Sequence, residues 1–151
     1  LERSVLPPHG LRFEITETSL INNLANAAKL VASLRAAGYA IMLDDFGAGV
    51  SSFAYLEHFP TDYLKIDGGF VRKMKVNPID RAIVESINDV GHKIGAVTVA
   101  EFVEDAETLE ILREIGVDMA QGYHIARPIP LETLLLDCAE ADARLVAGLR
   151  A

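Results

Sequence analysis

The sequence predicts an α/β fold: parallel strands joined by crossover helices and curved in the manner of a (β/α) barrel. Two observations carry this. Short apolar runs alternate with helical stripes, strand then helix, five times over with loops of ordinary length. The strand-like runs end in polar residues: Glu14, Asp44 with Asp45, Lys65 with Asp67, Glu101, then Gln121. Such groups gather on the rim formed by the carboxyl ends of barrel strands. A doubly wound sheet would converge only those near a switch point.

The elements follow in order. Pro7-Pro8-His9-Gly10 is turn chemistry. Residues 11–16 alternate, with Leu11, Phe13 and Ile15 on one face and Arg12, Glu14 and Thr16 on the other. Asn22 or Asn23 caps the next helix, whose inner face is Leu24, Ala27, Ala28, Val31 and Leu34, and Gly38 ends it. The second strand spans residues 39–45. A loop and short helix cover 51–58, stopped by Pro60. The third strand spans 63–67, with Leu64 and Ile66 facing away from Tyr63, Lys65 and Asp67. Asn77 caps a helix with Pro78 in its first turn and a stripe of Ile83, Ile87, Val90 and Ile94, closed by Gly95. The fourth strand covers 96–101. Asp105 caps a helix that buries Leu109, Leu112 and Ile115 and ends at Gly116. A fifth strand lies at 118–121. After Pro128 and Pro130, a last helix carries Leu131, Leu134, Leu135, Cys138, Leu145 and Leu149.

Half of the residues are apolar, enough to bury a core. The net charge is −8 with no basic run, which argues against nonspecific grip on a nucleic-acid polymer or an anionic membrane. No stretch is long and apolar enough to span a bilayer, and no signal-peptide pattern is present. The single cysteine, Cys138, reads as core packing, so no disulfide framework is expected and a cytoplasmic location fits. His9, His58, His92 and His124 lack metal-ligand spacing, which argues against a zinc-type site. The chain begins at Leu1, as a piece of something longer would.

The chemistry centres on Asp44-Asp45-Phe46-Gly47-Ala48-Gly49. One aspartate before a glycine turn suits a helix cap. Two adjacent carboxylates repel unless a cation sits between them, often a divalent ion held by oxygens. Glu14, Asp44, Lys65 and Glu101 each lie two residues past a position that can point into a barrel: Arg12, Met42, Tyr63 and Val99. All four can therefore converge above its centre. Each alone has a plainer reading, as a surface ion pair, a solvated strand-end charge or a turn residue. The same placement on five strands favours a shared site. Three carboxylates and a lysine in a barrel mouth suit Mg²⁺ or Mn²⁺ and phosphate chemistry.

Five segments now match a family in order and spacing. Glu14-Ile15-Thr16-Glu17, Asp44-Asp45-Phe46-Gly47-Ala48-Gly49, Leu64-Lys65-Ile66-Asp67, Ala100-Glu101-Phe102-Val103-Glu104 and Gln121-Gly122-Tyr123 through Pro128 resemble the EAL domain, the bacterial cyclic-di-GMP phosphodiesterases and their inactive relatives. The resemblance covers nearly the whole chain and implies a TIM-like barrel, with residues 1–151 as the C-terminal portion of a single domain. It implies hydrolysis of cyclic di-GMP to linear pGpG with two metal ions, Mg²⁺ or Mn²⁺. Glu14 and Asp44 would bind the first metal, with Asp44 bridging to a second that Asp45 also holds. Lys65 would orient the attacking water, and Glu101 would act as base or as support for the second metal. Glu17 would brace the loop after Asp45 through Ser51. Glu104 and Gln121 would be substrate-side or supporting groups, and Asp67 would position Lys65.

The sequence also departs from the family. The Glu-Ala-Leu segment and a following strand with a metal-binding asparagine are not in the chain and are expected upstream of Leu1. About five of the eight strands of a closed barrel are then present. This chain is accordingly expected to be weakly active or inactive alone. Ala48 stands where the family often has threonine, and Phe102 where it often has glycine, beside Glu101. The resemblance also allows a homodimer and upstream regulatory or GGDEF-like domains. The alternative readings are a non-catalytic cyclic-di-GMP receptor and a dimerisation module.

Overall fold

Five strands form one sheet in a computed structural model that describes residues 10–49, 55–56, 59–134 and 136. They are β1 (Arg12–Thr16), β2 (Ala40–Phe46), β3 (Tyr63–Ile66), β4 (Val97–Ala100) and β5 (Met119–Ala120). All pairs are parallel and the spatial order equals the chain order. With no reversal of strand order there is no switch point. The sheet is an arc of a barrel, as the placement of polar strand ends predicts.

The two faces of the arc differ as the alternation requires. Ile41, Leu43, Leu64 and Ile66 point outward and are fully buried against the helices. On the inner face, Arg12, Glu14, Met42 and Val99 line one open cleft, and the Arg12 guanidinium lies 4.5 Å above the Tyr63 ring. The inner positions inferred from pleat arithmetic are therefore correct.

The helices among the described residues are α1 (Glu17–Asn22), α2 (Leu24–Ala36), α3 (Gly68–Val71), α4 (Pro78–Lys93) and α5 (Ala106–Ile115). Three caps form as the sequence predicts. The Asn77 side chain accepts from the Ile79 N–H, Asp105 accepts from the Thr108 N–H, and Gly116 closes α5 at φ +85°. Two helices were not foreseen. α1 starts directly from the strand end, because Thr16 serves as last strand residue and as cap, accepting from the Ser19 N–H. α3 is a single turn capped by Asp67.

Two helix faces differ from expectation. In α2 only Val31 is fully buried; Ala27 and Leu34 pack beside it, while Leu24 and Ala28 are exposed. α1 takes over part of the covering role by burying Leu20. In α4 the buried line is Asp80, Val84, Ile87, Asn88 and Gly91, with Ile83 and Val90 at its margins and Ile94 exposed. Counting apolar residues misses this rotation because asparagine and glycine carry the contact. Asn88 accepts a 2.6 Å hydrogen bond from Thr98 Oγ1. A side chain at Gly91 would collide with the Thr98 methyl group. Leu131 and Leu134 are exposed. The expectations for residues 7–9, 51–54, 57–58, Leu135, Cys138, Leu145 and Leu149 lie outside the described residues.

Candidate functional site

Lys65 is the hub of the rim. It lies on β3, flanked by β2 and β4, and is buried. Its ammonium stands 2.7 Å from Glu101 Oε1, 2.8 Å from Asp44 Oδ1 and 3.1 Å from Glu14 Oε2. Burial alone would push this amine towards neutrality. The carboxylates of Asp44, then Glu101 and Glu14, outweigh that and raise its pKa above the ordinary lysine value. Lys65 is thus a fixed positive charge at neutral pH.

Asp44 and Asp45 are consecutive, so in a regular strand they would point to opposite faces. The pairing of β2 with β3 shows why they do not. Leu43 pairs with Leu64 and Phe46 with Ile66, which sets two residues, Asp44 and Asp45, against Lys65 alone. This is a β-bulge, and Asp45 adopts φ +54° within it. Aspartate is among the few side chains that tolerate this left-handed conformation. The bulge turns the second acid towards the first. Asp44, Asp45 and Glu101 each offer a carboxylate oxygen, all within 4.8 Å of one another.

Crowding of like charge follows. Burial first, then the charges of Asp44 and Asp67, push the Asp45 carboxyl above its usual range, with Lys65 opposing. Burial also raises Glu101, Lys65 pulls it back, and Asp44 and Asp45 push it up again. Asp44 Oδ1 is buried and accepts no directed hydrogen bond, although the Lys65 charge is close. An under-satisfied buried oxygen beside two further carboxylates is the donor set that a hard divalent cation takes. The residues present therefore fit a divalent ion.

The other predicted residues sort by position. Glu14 is outside the trio and joins it through Lys65, with its side chain 47% exposed. Glu17 is buried and braces the loop after β2: Oε2 accepts from the Gly47 N–H at 3.1 Å and Oε1 from the Tyr55 hydroxyl at 2.8 Å. Ser51, the partner expected from sequence, lies outside the described residues. Tyr55 was not foreseen, and nothing in its spacing announces it. The chain turns into α3 straight after β3, and Asp67 Oδ1 accepts from the Gly69 N–H at 2.8 Å.

Glu104 and Gln121 line a cleft of about 290 Å³ with Glu101, Phe102, Gly122 and Tyr123. Gln121 also lines the inner cleft that holds Glu14. Its segment is fixed against the Glu101 segment by two backbone bonds: Gln121 N–H to Ala100 O at 2.8 Å and Val103 N–H to Gln121 O at 3.0 Å. Gly122 makes that contact possible, because a Cβ there would overlap the Val103 backbone.

Fold and site together define a class: a parallel (β/α)-barrel arc whose rim carries a lysine-centred carboxylate site fit for a divalent cation. The EAL domain family profile matches residues 1–128. The chain belongs to the EAL domain family. It is 46% identical to the cyclic di-GMP phosphodiesterase PdeB of Shewanella oneidensis, over 93% of this chain and 16% of that protein. It is 41% identical to the cyclic di-GMP phosphodiesterase RocR of Pseudomonas aeruginosa, over 89% of this chain and 34% of that protein. Among solved structures, the c-di-GMP complex of the PaMucR phosphodiesterase superposes with a TM-score of 0.80 at 36% identity, covering 85% of this chain and 52% of that one. The manganese and cyclic-di-GMP complex of Klebsiella pneumoniae BlrP1 at pH 9.0 gives 0.74 at 35% identity, covering 78% and 30%. The same protein is also solved with calcium. The chain spans well under half the length of these two curated relatives.

Proposed function

We propose that the chain is the C-terminal portion of a domain that hydrolyses cyclic di-GMP to linear pGpG with Mg²⁺ or Mn²⁺. The observation that carries this reading is the gathering of Asp44, Asp45 and Glu101 into one ion's reach around Lys65. Asp44, Asp45 and Glu101 would hold one ion, and Glu14 with Asp44 the other. Two divalent ions held by these residues would supply Lewis-acid stabilisation of phosphoryl charge and lower the pKa of a bound water towards neutrality. Lys65, permanently charged, stabilises negative charge building on the phosphoryl oxygens and orients the water. Glu101 would serve either as support for its ion or as the base that takes the water's proton. Glu17, with Ser51, keeps the bulged loop in place, and Glu104 and Gln121 face the substrate from the adjoining cleft. Asp67 fixes the turn that follows Lys65.

The same reading places the protein in the cytoplasm, pairs it as a homodimer and allows regulatory or GGDEF-like domains in the parent protein. No helix among the described residues is long and apolar enough to cross a membrane. The chain alone is proposed to be weakly active or inactive, because the Glu-Ala-Leu and asparagine segments are not part of it.

The test is Mn²⁺ titration of the chain, with cyclic di-GMP turnover followed by chromatography. Mn²⁺ should bind, pGpG should be the sole and metal-dependent product, and Asp44→Asn should weaken Mn²⁺ binding at least tenfold while leaving the circular dichroism unchanged. No Mn²⁺ binding, or equal binding by Asp44→Asn, would sink the proposal.

A further inference from the structure

Phe102 follows Glu101 directly and carries a backbone φ of +53°. Side chains with a Cβ avoid this conformation, and a phenylalanine normally enters it only when something else holds it there. Core burial is not the reason, since the residue is 47% exposed. Local packing instead fixes the ring at the rim. The Arg72 guanidinium stacks 4.3 Å from its centroid. Gly68 supplies the space beneath, because a Cβ there would overlap the ring.

Phe102 borders two clefts. One is lined by Arg72, Lys75, Glu104, Asp105 and Thr108, so the guanidinium covers the ring on that side. The other holds Glu101, Glu104, Gln121, Gly122 and Tyr123, and Arg72 does not line it. Phe102 lines this second cleft together with Glu101, whose carboxylate belongs to the ion-binding trio. Backbone strain of this kind gathers where a ligand is contacted. A flat, rigid, half-open ring suits a nucleobase, which is bound by stacking on aromatic faces.

We propose that Phe102 is a specificity-determining residue whose free face stacks on a purine base of the substrate while the phosphodiester lies over Lys65 and the carboxylates. The assignment rests on the phosphodiesterase reading and adds to it a residue-level contact for the base. Arg72 acts through Phe102 as a positioning residue, keeping the ring upright at the mouth of the cleft. Glu104 and Gln121 line the same space and offer polar groups to the edge of the base.

The experiment measures cyclic di-GMP binding to the chain with Ca²⁺, comparing the parent with Phe102→Leu, Phe102→Tyr and Phe102→Gly. Base stacking on an aromatic ring corresponds to roughly a five- to hundredfold effect on affinity. Phe102→Leu should weaken binding about tenfold, whereas Phe102→Tyr should stay within about twofold of the parent. Phe102→Gly relieves the backbone and yet should bind as weakly as the leucine variant. The guanine H8 resonance should move upfield in the parent complex through the ring current, and this shift should vanish in Phe102→Leu. Equal affinity of parent and Phe102→Leu, an unshifted H8, or tighter binding by Phe102→Gly overturns the stacking role and leaves the phosphodiesterase reading standing. Absence of cyclic di-GMP binding by the parent itself overturns both.

Discussion

Replacing Lys65 by methionine keeps the length of the side chain and removes its charge. The consequence can be worked from the three acids around it. Breaking a buried ion pair by deleting one partner costs about 3–5 kcal/mol, because the remaining charge is stranded. Glu14 is 47% exposed and rehydrates, but Asp44 and Glu101 are only 18% and 10% exposed and stay largely in place. The low end applies, about 3 kcal/mol, or a melting point lower by roughly 6–12 °C for a domain of this size. The pH course fixes the cause. The Lys65 pKa is raised above its ordinary 10.5, so its contribution is fully present below that value and lost only as pH climbs past it. At neutral pH the variant therefore shows the whole deficit. On acidification Glu101, whose carboxyl is raised chiefly by burial, takes up a proton and the deficit shrinks. Urea unfolding of parent and Lys65→Met at pH 7.5, 5.5 and 4.0 reads this directly, and added Mn²⁺ should restore part of the loss at pH 7.5. A deficit below about 0.5 kcal/mol at pH 7.5, or one independent of pH, would refute the charge-hub argument.

Two further outcomes are expected. Gly122→Ala should destabilise by about 1–3 kcal/mol in urea unfolding, because its new methyl group meets the Val103 backbone, which has no side-chain torsion to yield. The same variant should lose ligand affinity, as Gln121 and Tyr123 move away from Glu101. Asp105→Asn keeps the cap and deletes its charge. Hydrogen bonding from Lys75, then from Thr108, holds the Asp105 carboxyl down at about 2, below its ordinary 3.8. A depressed acid stabilises above its ordinary pKa and ceases to do so as pH falls through the folded value. The difference in melting point between parent and Asp105→Asn should hold level from pH 7 to about 4 and close towards pH 2. A difference that widens on acidification would contradict the assignment.

Much of this molecule is legible in its sequence, and the misses have physical reasons. Strand ends, three caps and the inner face of the sheet follow from alternation and from residues with one dominant conformational role, such as Asn77 before Pro78 or Gly116 after Ile115. The convergence of Glu14, Asp44, Lys65 and Glu101 follows from period-two arithmetic. That arithmetic fails at Asp45, where a bulge adds one residue and resets the facing. An Asp-Asp pair at a strand end is the only local hint. The α4 face was misplaced because Asn88 and Gly91 make tertiary contacts that hydrophobicity does not score. Tyr55 as a partner of Glu17 is a long-range contact with no periodic signature. The resemblance gives Asp67 the positioning of Lys65, and the helical turn after β3 adds a cap that the strand pattern does not announce, with Asp67 Oδ1 accepting from the Gly69 N–H.

The left-handed backbone at Asp45 sets stability and chemistry against each other at one position. Glycine would rest there more comfortably, by about 1 kcal/mol, and would still permit the extra residue in the strand. A library sorted only for heat resistance would therefore drift towards Asp45→Gly and yield sturdier proteins stripped of an acid at the rim. Sorting for ion capture alongside thermal endurance would keep the aspartate and push improvements to other parts of the chain.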